Sequence, residues 1–558
     1  MSENRLRSAV VFLQAKKQTE KNMENNKNMN PIFSLKNFRS FGEDGADFEL
    51  APITVLTGCN SAGKSSLVKA LMLLSSGSEG GRYMETLKLS SKDLCLGGYK
   101  NVAHKDGHII MSYTIWSAEL QDTLVVTRKY CAQRNDELND GDLVYLTVEK
   151  SDGTLIYKGG DQYSENKQHD DAIKEEFNRF YAVGCYMRVM ELLSLLEKKK
   201  RKSFDDESSQ IKRIEEAVKI VKEKLKSVGV DESDAALLWK EFDHNAFYTV
   251  IKAMDPLGRG DTITLSDWIK TPDEEEIEFM LREFIDHIVD DVRTPFFTKQ
   301  PIYINSASAQ IERLYTVSDD NKMCRALREL NRRKIQYDKE CVIGVDPTYC
   351  IIHKPGSFLD RWLDMFKIGK SIEVRGTDQG LGLMAYLINY KKEERLLADE
   401  GYGITQLVAL LLQIDNCIPV FLGCDEDTFI KEHKMVYNYE PKTICVEEPE
   451  VHLHPKYQSL LANMFVEAYQ KYNIHFIIET HSEYLIRKLQ VMVADKENAL
   501  SPNDVSLNYV EKDESGVSTN RQIKIEEDGS LSDSFGAGFY DEADTLAIQL
   551  FRNKPILS

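Results

Sequence analysis

The sequence contains no hydrophobic run that approaches the roughly 20 apolar residues needed to span a bilayer. An apolar segment near the start, residues 9–13, is too short for a signal-peptide core, and Lys16 and Lys17 follow it closely. Apolar residues make up 42% of the chain and charged residues 29%, as in soluble globular proteins. These features predict a cytoplasmic protein that makes no contact with a membrane.

Cysteine motifs and an excess of positive charge are also missing. The ten cysteines include no C-x-x-C pair and no Cys/His cluster at metal-binding spacing, which predicts reduced thiols rather than disulfides or zinc sites. The 71 Lys and Arg residues against 90 Asp and Glu residues give a net charge of −19. Non-specific nucleic-acid binding requires clustered positive charge, so this balance argues against a broad nucleic-acid surface but leaves room for a local basic patch.

A phosphate-binding loop is present in the N-terminal part of the sequence. An apolar strand is predicted at residues 53–56, and Leu67, Leu71 and Leu74 recur at helical spacing further on. Between them, Gly58 to Ser65 reads G-x-x-x-x-G-K-S, in the strand–loop–helix order that a P-loop requires. The predicted nucleotide-binding residues of this segment are Asn60, Ser61, Gly63, Lys64, Ser65 and Ser66.

The chemistry of such a loop assigns a role to each part. Backbone N–H groups and the positive end of the helix dipole bind phosphates. Lys64 is expected to reach the β- and γ-phosphates, and the Ser65 hydroxyl to bind Mg²⁺. A chance match in an ordinary glycine loop is the alternative, and the correct flanking segments argue against it. The sequence thus predicts a site for a nucleoside triphosphate, with ATP and Mg²⁺ as cofactors.

A second part of the site is predicted where an apolar strand, residues 443–446, ends in two acids. We assign Glu447 to Mg²⁺ and Glu448 to the base that polarises the attacking water. Another apolar strand, residues 474–478, leads to His481, a candidate sensor of the γ-phosphate. An acidic surface loop and a structural histidine are the alternative interpretations, and the upstream P-loop weakens both.

Gly403 and Thr405 belong to a third candidate element, residues 399–406, which precedes an apolar helix predicted at 407–414. A helix N-terminus after two glycines can face a phosphate. By itself this signal is weak, because an ordinary loop–helix junction has the same composition.

The length of the chain predicts two to four domains. Residues 1–30 are polar and are expected to form a disordered leader. Residues 31–168 are predicted to form the N-terminal half of a nucleotide-binding head, with antiparallel strands near 108–113, 124–127 and 143–148.

Helical periodicity follows in residues 169–298, for example at Ile211, Val218 and Leu225, but it is too short for a long coiled-coil arm. The basic run at 198–202 is either a nucleic-acid contact or a solvated loop, and the loop is the preferred interpretation. Residues 299–558 are predicted to supply the C-terminal half of the head.

The ordered motifs resemble those of ABC-type ATPases, within the group related to RecF, structural-maintenance-of-chromosomes (SMC) and OLD proteins. Residues 399–406 are similar to the signature motif of that group, although Thr405 stands where serine is usual. The resemblance implies an α/β fold, in which a P-loop ATPase head with a mixed and parallel sheet carries an antiparallel β subdomain and an inserted helical subdomain. The other matching segments are L-K-N-F-R-S-F at 35–41, the P-loop, the strand that ends at Glu448, E-V-H-L-H-P at 450–455 and T-H-S at 480–482.

The segments at 527–529 and 538–542 are similar to the C-terminal ends of Septu-type (PtuA) antiphage defence ATPases, some of which accompany retrons. The resemblance implies a homodimer or higher oligomer that binds ATP between the P-loop of one protomer and the signature loop of the other. Gly403 and Thr405 would complete the γ-phosphate site there. It further implies a separate partner nuclease of the HNH type, with retron RNA, retron DNA and a reverse transcriptase as additional candidates.

Two departures from the group separate the hypotheses. No glutamine stands at the expected Q-loop position, residues 96–100, and the 48 residues after Val510 are too few for the Toprim nuclease domain of OLD proteins. The leading hypothesis is an ATPase sensor and scaffold of an antiphage defence complex, whose ATP-dependent closure controls a separate nuclease. A RecF-like clamp that binds DNA directly is the alternative, and the acidic charge balance speaks against it. In a third hypothesis ATP is structural glue and the ATPase is vestigial.

Overall fold

The computed structural model describes most of the segments in which the sequence predicts a nucleotide site. The residues that the structure describes are 29–76, 86–90, 94–117, 120, 122–133, 140–159, 178–187, 189–190, 208–241, 296, 301–305, 311–316, 322–340, 357–377, 382–418, 442–495, 500–536, 539–542, 545–546 and 548–549. The predicted leader up to residue 28, the basic run at 198–202 and most of the segment between 242 and 300 lie outside them.

Strands and helices alternate in a mixed α/β order. The strands are β1 (Ile32–Lys36), β2 (Ala46–Glu49), β3 (Ile53–Gly58), β4 (Thr86–Leu87), β5 (Ile109–Ser117), β6 (Asp122–Ala132), β7 (Gly141–Lys150), β8 (Leu155–Gly159), β9 (Ile302–Ile304), β10 (Tyr315–Thr316), β11 (Ser371–Gly376), β12 (Gly382–Ile388), β13 (Glu394–Leu396), β14 (Lys442–Glu447), β15 (Ile474–Glu479), β16 (Val505–Lys512) and β17 (Ser518–Ile523). The α-helices with described bounds are α1 (Lys64–Ser76), α2 (Tyr99–Val102), α3 (Ser208–Ser227), α4 (Glu232–Glu241), α5 (Lys322–Glu340), α6 (Phe358–Met365), α7 (Tyr402–Cys417), α8 (Pro455–Tyr472) and α9 (Glu483–Ala494).

The chain divides into two units. The first comprises residues 1–31, 77–87 and 108–291, and the second comprises residues 32–76, 88–107 and 292–558. The domain boundaries predicted from the sequence remain predictions.

A six-stranded sheet forms the centre of the second unit, in the order β17-β16-β3-β15-β14-β9. Neighbouring strands from β16 to β9 run parallel, and β17 is antiparallel to β16. All six residues of β3 are buried, as is usual for a parallel strand covered on both faces. The order places β15 between the P-loop strand β3 and the acidic strand β14, so the carboxyl ends of all three strands meet at one edge.

Helices α1 and α8 pack against this sheet, and α7 packs against α5 and α6. In α1 the leucines predicted at helical spacing, Leu67, Leu71 and Leu74, are buried, and α7 buries an almost continuous apolar run between Leu407 and Leu412. Both helices follow glycine-containing loops. Helix α1 begins at Lys64, within the predicted phosphate-binding loop, and α7 begins at Tyr402, within the predicted signature segment.

A smaller antiparallel sheet also belongs to the second unit. It has the order β10-β12-β11, with β13 paired to β12. Strand-like patterns at 371–374 and 381–388 in the sequence predict a pair of strands, which the structure confirms as β11 and β12. The sequence does not indicate β10 or β13, each of which has three residues or fewer.

The first unit contains an antiparallel sheet in which β5, β6 and β7 pair in order, while β4 and β8 pair with β7. Alternating burial along β5 fits a sheet with one covered face. The three central strands confirm the predicted antiparallel β subdomain. Described residues further along this unit, 178–187, α3 and α4, are helical, as the periodicity predicts.

The α/β class predicted from the sequence is therefore confirmed. Within the described ranges, no helix is both long enough and apolar enough to cross a bilayer.

Candidate functional site

The loop between β3 and α1 has the backbone geometry of a phosphate-binding loop. Two of its glycines have positive φ, +130° at Gly58 and +105° at Gly63, which side-chain-bearing residues rarely adopt. An added Cβ at Gly58 would lie 2.0 Å from the carbonyl oxygen of Val510 on β16, and one at Gly63 would lie 2.7 Å from Ser40 Oγ. Strand pairing and close packing therefore require glycine at both positions.

Backbone amides in this loop are available to an anion. Among the described residues, the N–H groups of Asn60, Ser61, Gly63 and Lys64 have no acceptor, whereas the N–H of Ser66 donates to Gly63 O at 2.9 Å. Asn60 and Ser61 are exposed, and Ser66 is buried in α1. Free amides at the start of a helix favour a negatively charged ligand.

Lys64 is the first residue of α1 and is only 4% exposed. Its Nζ donates hydrogen bonds to the carbonyl oxygens of Gly58 at 3.2 Å and Cys59 at 2.9 Å. Burial lowers the pKa of Lys64, and the negative charges of Glu479 and Glu448 oppose that shift. The ammonium thus lies inside the loop, where phosphate oxygens can replace the two carbonyl acceptors.

Glu447 ends β14 and is held by a tyrosine from the neighbouring strand. The hydroxyl of Tyr303, on β9, donates to Glu447 Oε1 at 2.6 Å. Burial and the adjacent carboxylate raise the pKa of Tyr303 well above its usual value, so the hydroxyl keeps its proton for this bond. Tyr303 fixes the orientation of the carboxylate that the sequence assigns to Mg²⁺.

Glu448 follows in a left-handed backbone conformation, with φ +46°. Its N–H donates to the carbonyl oxygen of Glu479 at 2.7 Å, which turns the chain across the end of β15. A non-glycine residue in this conformation is uncommon and is frequently found at functional sites. The backbone therefore directs the proposed base out of the line of the strand.

Glu479 is a further acid at this edge, and the sequence interpretation omits it. It is the register neighbour of Glu447 in the parallel pair β14–β15, so the two side chains project from the same face. Glu479 is 7% exposed and accepts a hydrogen bond from the Ser65 hydroxyl. Burial raises its pKa to about 7, the bond from Ser65 opposes this, and the charge of Glu447 adds to it.

His481 lies two residues beyond β15 and keeps an exposed face. Its N–H donates to Glu450 Oε1 at 2.7 Å. Partial burial lowers the pKa of His481, and the positive charge of Lys64 lowers it further while Glu448 opposes. The imidazole is therefore neutral at pH 7 and lies within electrostatic range of both the P-loop lysine and the proposed base.

The signature element packs against its own chain. Helix α7 begins at Tyr402, five residues before the predicted apolar helix, and no side chain caps its first turn. Gly403 is buried and packs closely against the backbone of His452. An added Cβ would lie 2.6 Å from the carbonyl oxygen of His452, so the position requires glycine. The Thr405 hydroxyl donates to Tyr402 O at 2.8 Å.

Gln406 connects this helix to the proposed base. Its Nε2 donates to the carbonyl oxygen of Glu448 at 3.2 Å, while its Oε1 is buried and has no partner among the described residues. The start of α7 and the loop after β14 are thus joined within one protomer.

The structure brings the P-loop residues, Glu447, Glu448 and His481 into one neighbourhood. Gly403 packs against His452, and the next link from this helix to the neighbourhood is the bond from Gln406 to Glu448, whereas the Thr405 hydroxyl bonds within its own helix. The roles predicted for these residues remain predictions. Three functional candidates were missed: Tyr303, Gln406 and Glu479.

A sequence model of the AAA ATPase domain matches residues 32–486, which is most of the chain. The chain belongs to the AAA ATPase domain family. The P-loop, the acidic strand end and four strands of the central sheet (β3, β9, β14 and β15) lie within the matched range, whereas β16 and β17 lie beyond it. A second model, described as a protein of unknown function (DUF3696), matches residues 500–550, which follow it. No curated protein matches the chain in a sequence comparison.

Solved structures of SMC heads are similar to this AAA ATPase domain at low identity. An SmcHead bound to the C-winged helix domain of ScpA is 11% identical, with a TM-score of 0.34, and the match covers 88% of this chain and 98% of that chain. The SMC head domain from Thermotoga maritima is 10% identical, with a TM-score of 0.33, and the match covers 88% and 97%.

The residues at the strand ends fit ATP with Mg²⁺. The free loop amides and Lys64 suit phosphate oxygens, and Ser65 and Glu447 supply the oxygen ligands that Mg²⁺ prefers. In the described part of the chain, no three His, Cys, Asp or Glu side chains form a group that could hold a metal alone. The cation would therefore require the phosphates of the nucleotide, as is usual for Mg²⁺ in ATPase sites.

Proposed function

We propose that this AAA ATPase domain protein hydrolyses ATP and uses the ATP-dependent closure of a homodimer to control a separate nuclease in an antiphage defence complex. The observation that carries the ATPase part is the meeting of the P-loop with Glu447, the last residue of β14, and Glu448, which follows it, at one edge of the parallel sheet. The defence part is supported by the C-terminal resemblance to Septu-type ATPases.

Each residue contributes a separate part of the reaction. Loop amides and Lys64 bind the phosphates and orient the γ-phosphate, while bound Mg²⁺ supplies charge neutralisation. Glu448 accepts a proton from the attacking water, and its displaced backbone directs it away from β14. The neutral imidazole of His481 can donate one hydrogen bond to a γ-phosphate oxygen.

The second protomer would supply the signature helix. The first turn of α7 has no side-chain cap, and Tyr402 at its start is 43% exposed. An uncapped helix N-terminus favours an anion, which suits the γ-phosphate bound to the partner protomer. Because Gln406 joins this helix to Glu448, docking of the helix in one site would adjust the base in the protomer's own site. This connection offers a path by which ATP hydrolysis in the two sites of the dimer can be coupled.

Control of a partner would follow from closure. A nucleotide can shift an equilibrium between open and closed dimers only through its different affinities for the two states. A partner nuclease of the HNH type, with or without retron RNA, DNA and reverse transcriptase, would then be restrained in one state and released in the other.

Turnover and oligomeric state test the ATPase part. Glu448→Gln should abolish phosphate release while nucleotide binding persists, and it should convert monomer to dimer in the presence of ATP, measured by light scattering during gel filtration. Lys64→Ala is the matched control, which should lose both nucleotide binding and the ATP-induced dimer. Equal turnover in the wild type and Glu448→Gln would contradict the proposal and favour ATP as a structural ligand.

Purification from cells that express the protein from its native locus tests the defence part. The expected result is co-purification of the product of a neighbouring gene with an HNH-type nuclease sequence. Tight ATP-dependent binding of duplex DNA by the protein alone, with a steep salt dependence, would instead support the DNA-clamp alternative.

A further inference from the structure

Glu479 has no role in the reaction proposed above, yet its position is specific. It ends β15, the strand between the P-loop strand and β14, and it is the register neighbour of Glu447. One of its oxygens accepts a hydrogen bond from the Ser65 hydroxyl. The other, Oε2, is buried and has no hydrogen-bond partner among the described residues. Glu479 thus touches one predicted metal ligand and lies beside the other.

A carboxylate in this position is costly unless a cation offsets its burial. Glu479 is only 7% exposed, and the nearest ammonium, that of Lys64, donates to the carbonyl oxygens of Gly58 and Cys59. A buried side-chain oxygen that accepts no hydrogen bond is uncommon in folded proteins, and Glu479 Oε2 is such an oxygen among the described residues. Its position beside Glu447 and Ser65 therefore indicates a ligand that is absent from the protein alone.

We propose that Glu479 is a ligand of the divalent cation that accompanies the nucleotide, together with Ser65 and Glu447. This inference rests on the proposed ATPase function and adds a second carboxylate to its metal site. Two carboxylates on neighbouring strands provide the hard oxygen ligands that Mg²⁺ and Mn²⁺ bind. Without the cation, the same two negative charges repel the phosphates of ATP.

A purely structural role makes a different prediction. If Glu479 only accepts the hydrogen bond from Ser65, a glutamine of equal size can accept the same bond through its amide oxygen. Glu479→Gln should then leave metal affinity unchanged. If the carboxylate binds the cation, the neutral amide is a much weaker ligand, although the fold remains intact.

Glu450 is a matched control within the same unit. It is also 7% exposed, and its Oε2 also has no partner among the described residues. Its Oε1 accepts the backbone N–H of His481, and it is not a register neighbour of a predicted metal ligand. Glu450→Gln therefore removes an equally buried carboxylate from outside the proposed metal set.

The test is titration with Mn²⁺ of the full-length protein in molar excess over ATPγS, with free Mn²⁺ followed by electron paramagnetic resonance and compared with ATPγS without protein. We expect Glu479→Gln to weaken Mn²⁺ binding at least about tenfold, the scale of losing a group that supports a metal site. Glu450→Gln should remain within about twofold of the wild type. The circular dichroism spectrum and thermal midpoint of each variant without metal check that it is folded.

The outcomes separate the two proposals. Failure of the wild type to bind Mn²⁺ with ATPγS would refute the proposed ATPase site itself. Normal wild-type binding with an unchanged Glu479→Gln would overturn only the role of Glu479. If Glu479→Gln does not fold, Glu479→Asp replaces it, because it keeps the charge and retracts the carboxylate by one methylene. Wild-type Mn²⁺ affinity in Glu479→Asp would then count against the proposal.

Discussion

Tyr303→Phe is the substitution that tests most directly how the proposed metal site is held together. The change removes one hydroxyl, which donates to Glu447 Oε1 at 2.6 Å, and leaves the aromatic ring in place. The ring is buried and lies under the Lys322 ammonium at 5.6 Å, so phenylalanine keeps the packing and the cation–π contact. Any effect on the metal should therefore come from the lost hydrogen bond.

The expected loss of Mg²⁺ affinity in Tyr303→Phe follows from the strength of the hydrogen bond that is removed. A hydrogen bond to an ionised acceptor is worth about 1.5–3 kcal/mol, and 1.4 kcal/mol corresponds to about tenfold in affinity. Loss of a group that orients a metal ligand costs about 10- to 100-fold in affinity, which agrees with that range. Glu447 is half-buried and water can replace part of the bond, so we expect the lower end, about tenfold.

The assay is steady-state ATP hydrolysis as a function of free Mg²⁺ at saturating ATP. The half-saturating Mg²⁺ concentration should rise about tenfold in Tyr303→Phe, with a smaller change in kcat at saturating metal. Tyr469→Phe is the control, because it removes a hydroxyl that donates to Asp504 Oδ1 at 2.9 Å, outside the site. An equal Mg²⁺ requirement in Tyr303→Phe and the wild type would refute the view that Tyr303 orients a metal ligand.

Three further substitutions test other parts of the site and the sheet. Gln406→Leu removes the bond to Glu448 O, worth about 1 kcal/mol, so kcat should fall about fivefold with nucleotide affinity unchanged. Gln413→Leu, on the same helix, is its control, and equal effects of the two would contradict a specific link to the base. Gly63→Ala should abolish nucleotide binding without unfolding the protein, because its Cβ would meet a serine hydroxyl oxygen at 2.7 Å; calorimetry with ATP measures this. Burial lowers the pKa of His475 to about 4, so the unfolded chain takes up this proton first as pH falls below about 6.5 and stability declines from there towards pH 4. The full shift corresponds to about 2 kcal/mol between pH 7 and 5, and partial exposure of the imidazole reduces it to about 1 kcal/mol. In His475→Phe the thermal midpoint should lose this part of its pH dependence, and an unchanged slope would count against the assignment.

The parts of the site that the sequence predicts are those defined by local pattern. The glycines, Lys64 and Ser65 stand at fixed spacing between a strand and a helix, and Glu447 and Glu448 directly follow an apolar run. Such segments fold in the predicted way because backbone geometry and helix periodicity are local properties. The same reasoning recovers the antiparallel strands of the first unit.

The missed residues owe their positions to contacts between distant segments. Tyr303 meets Glu447 across 144 residues, through a strand of only three residues. Glu479 is a single acid in the run I-H-F-I-I-E-T, where no spacing indicates a role, and only its register with β14 places it beside Glu447. Pairing of this kind cannot be deduced from one sequence.

The start of α7 is a different case. Glycines at 401 and 403 lower helix propensity, so the apolar pattern predicts the helix only from residue 407. In the structure the helix starts at Tyr402. Gly403 packs there against His452, where no side chain would fit, so this glycine is selected by a tertiary contact rather than by helix propensity. Tertiary contact outweighs the local preference, and it places Thr405 and Gln406 in the first turns.

The order of the central sheet has a consequence for how the protein is made. Strand β3 ends at Gly58, but its two neighbours begin at Ile474 and Val505. During synthesis the apolar P-loop strand therefore has neither of these partners until residues 474–479 and 505–510 have been made, and unpaired strands of this kind are prone to aggregation. The strand that carries the P-loop is thus made long before the strands that hold it in the sheet. We therefore expect a fragment that stops before Ile474 to lack a stable nucleotide site, although it still carries the complete P-loop sequence.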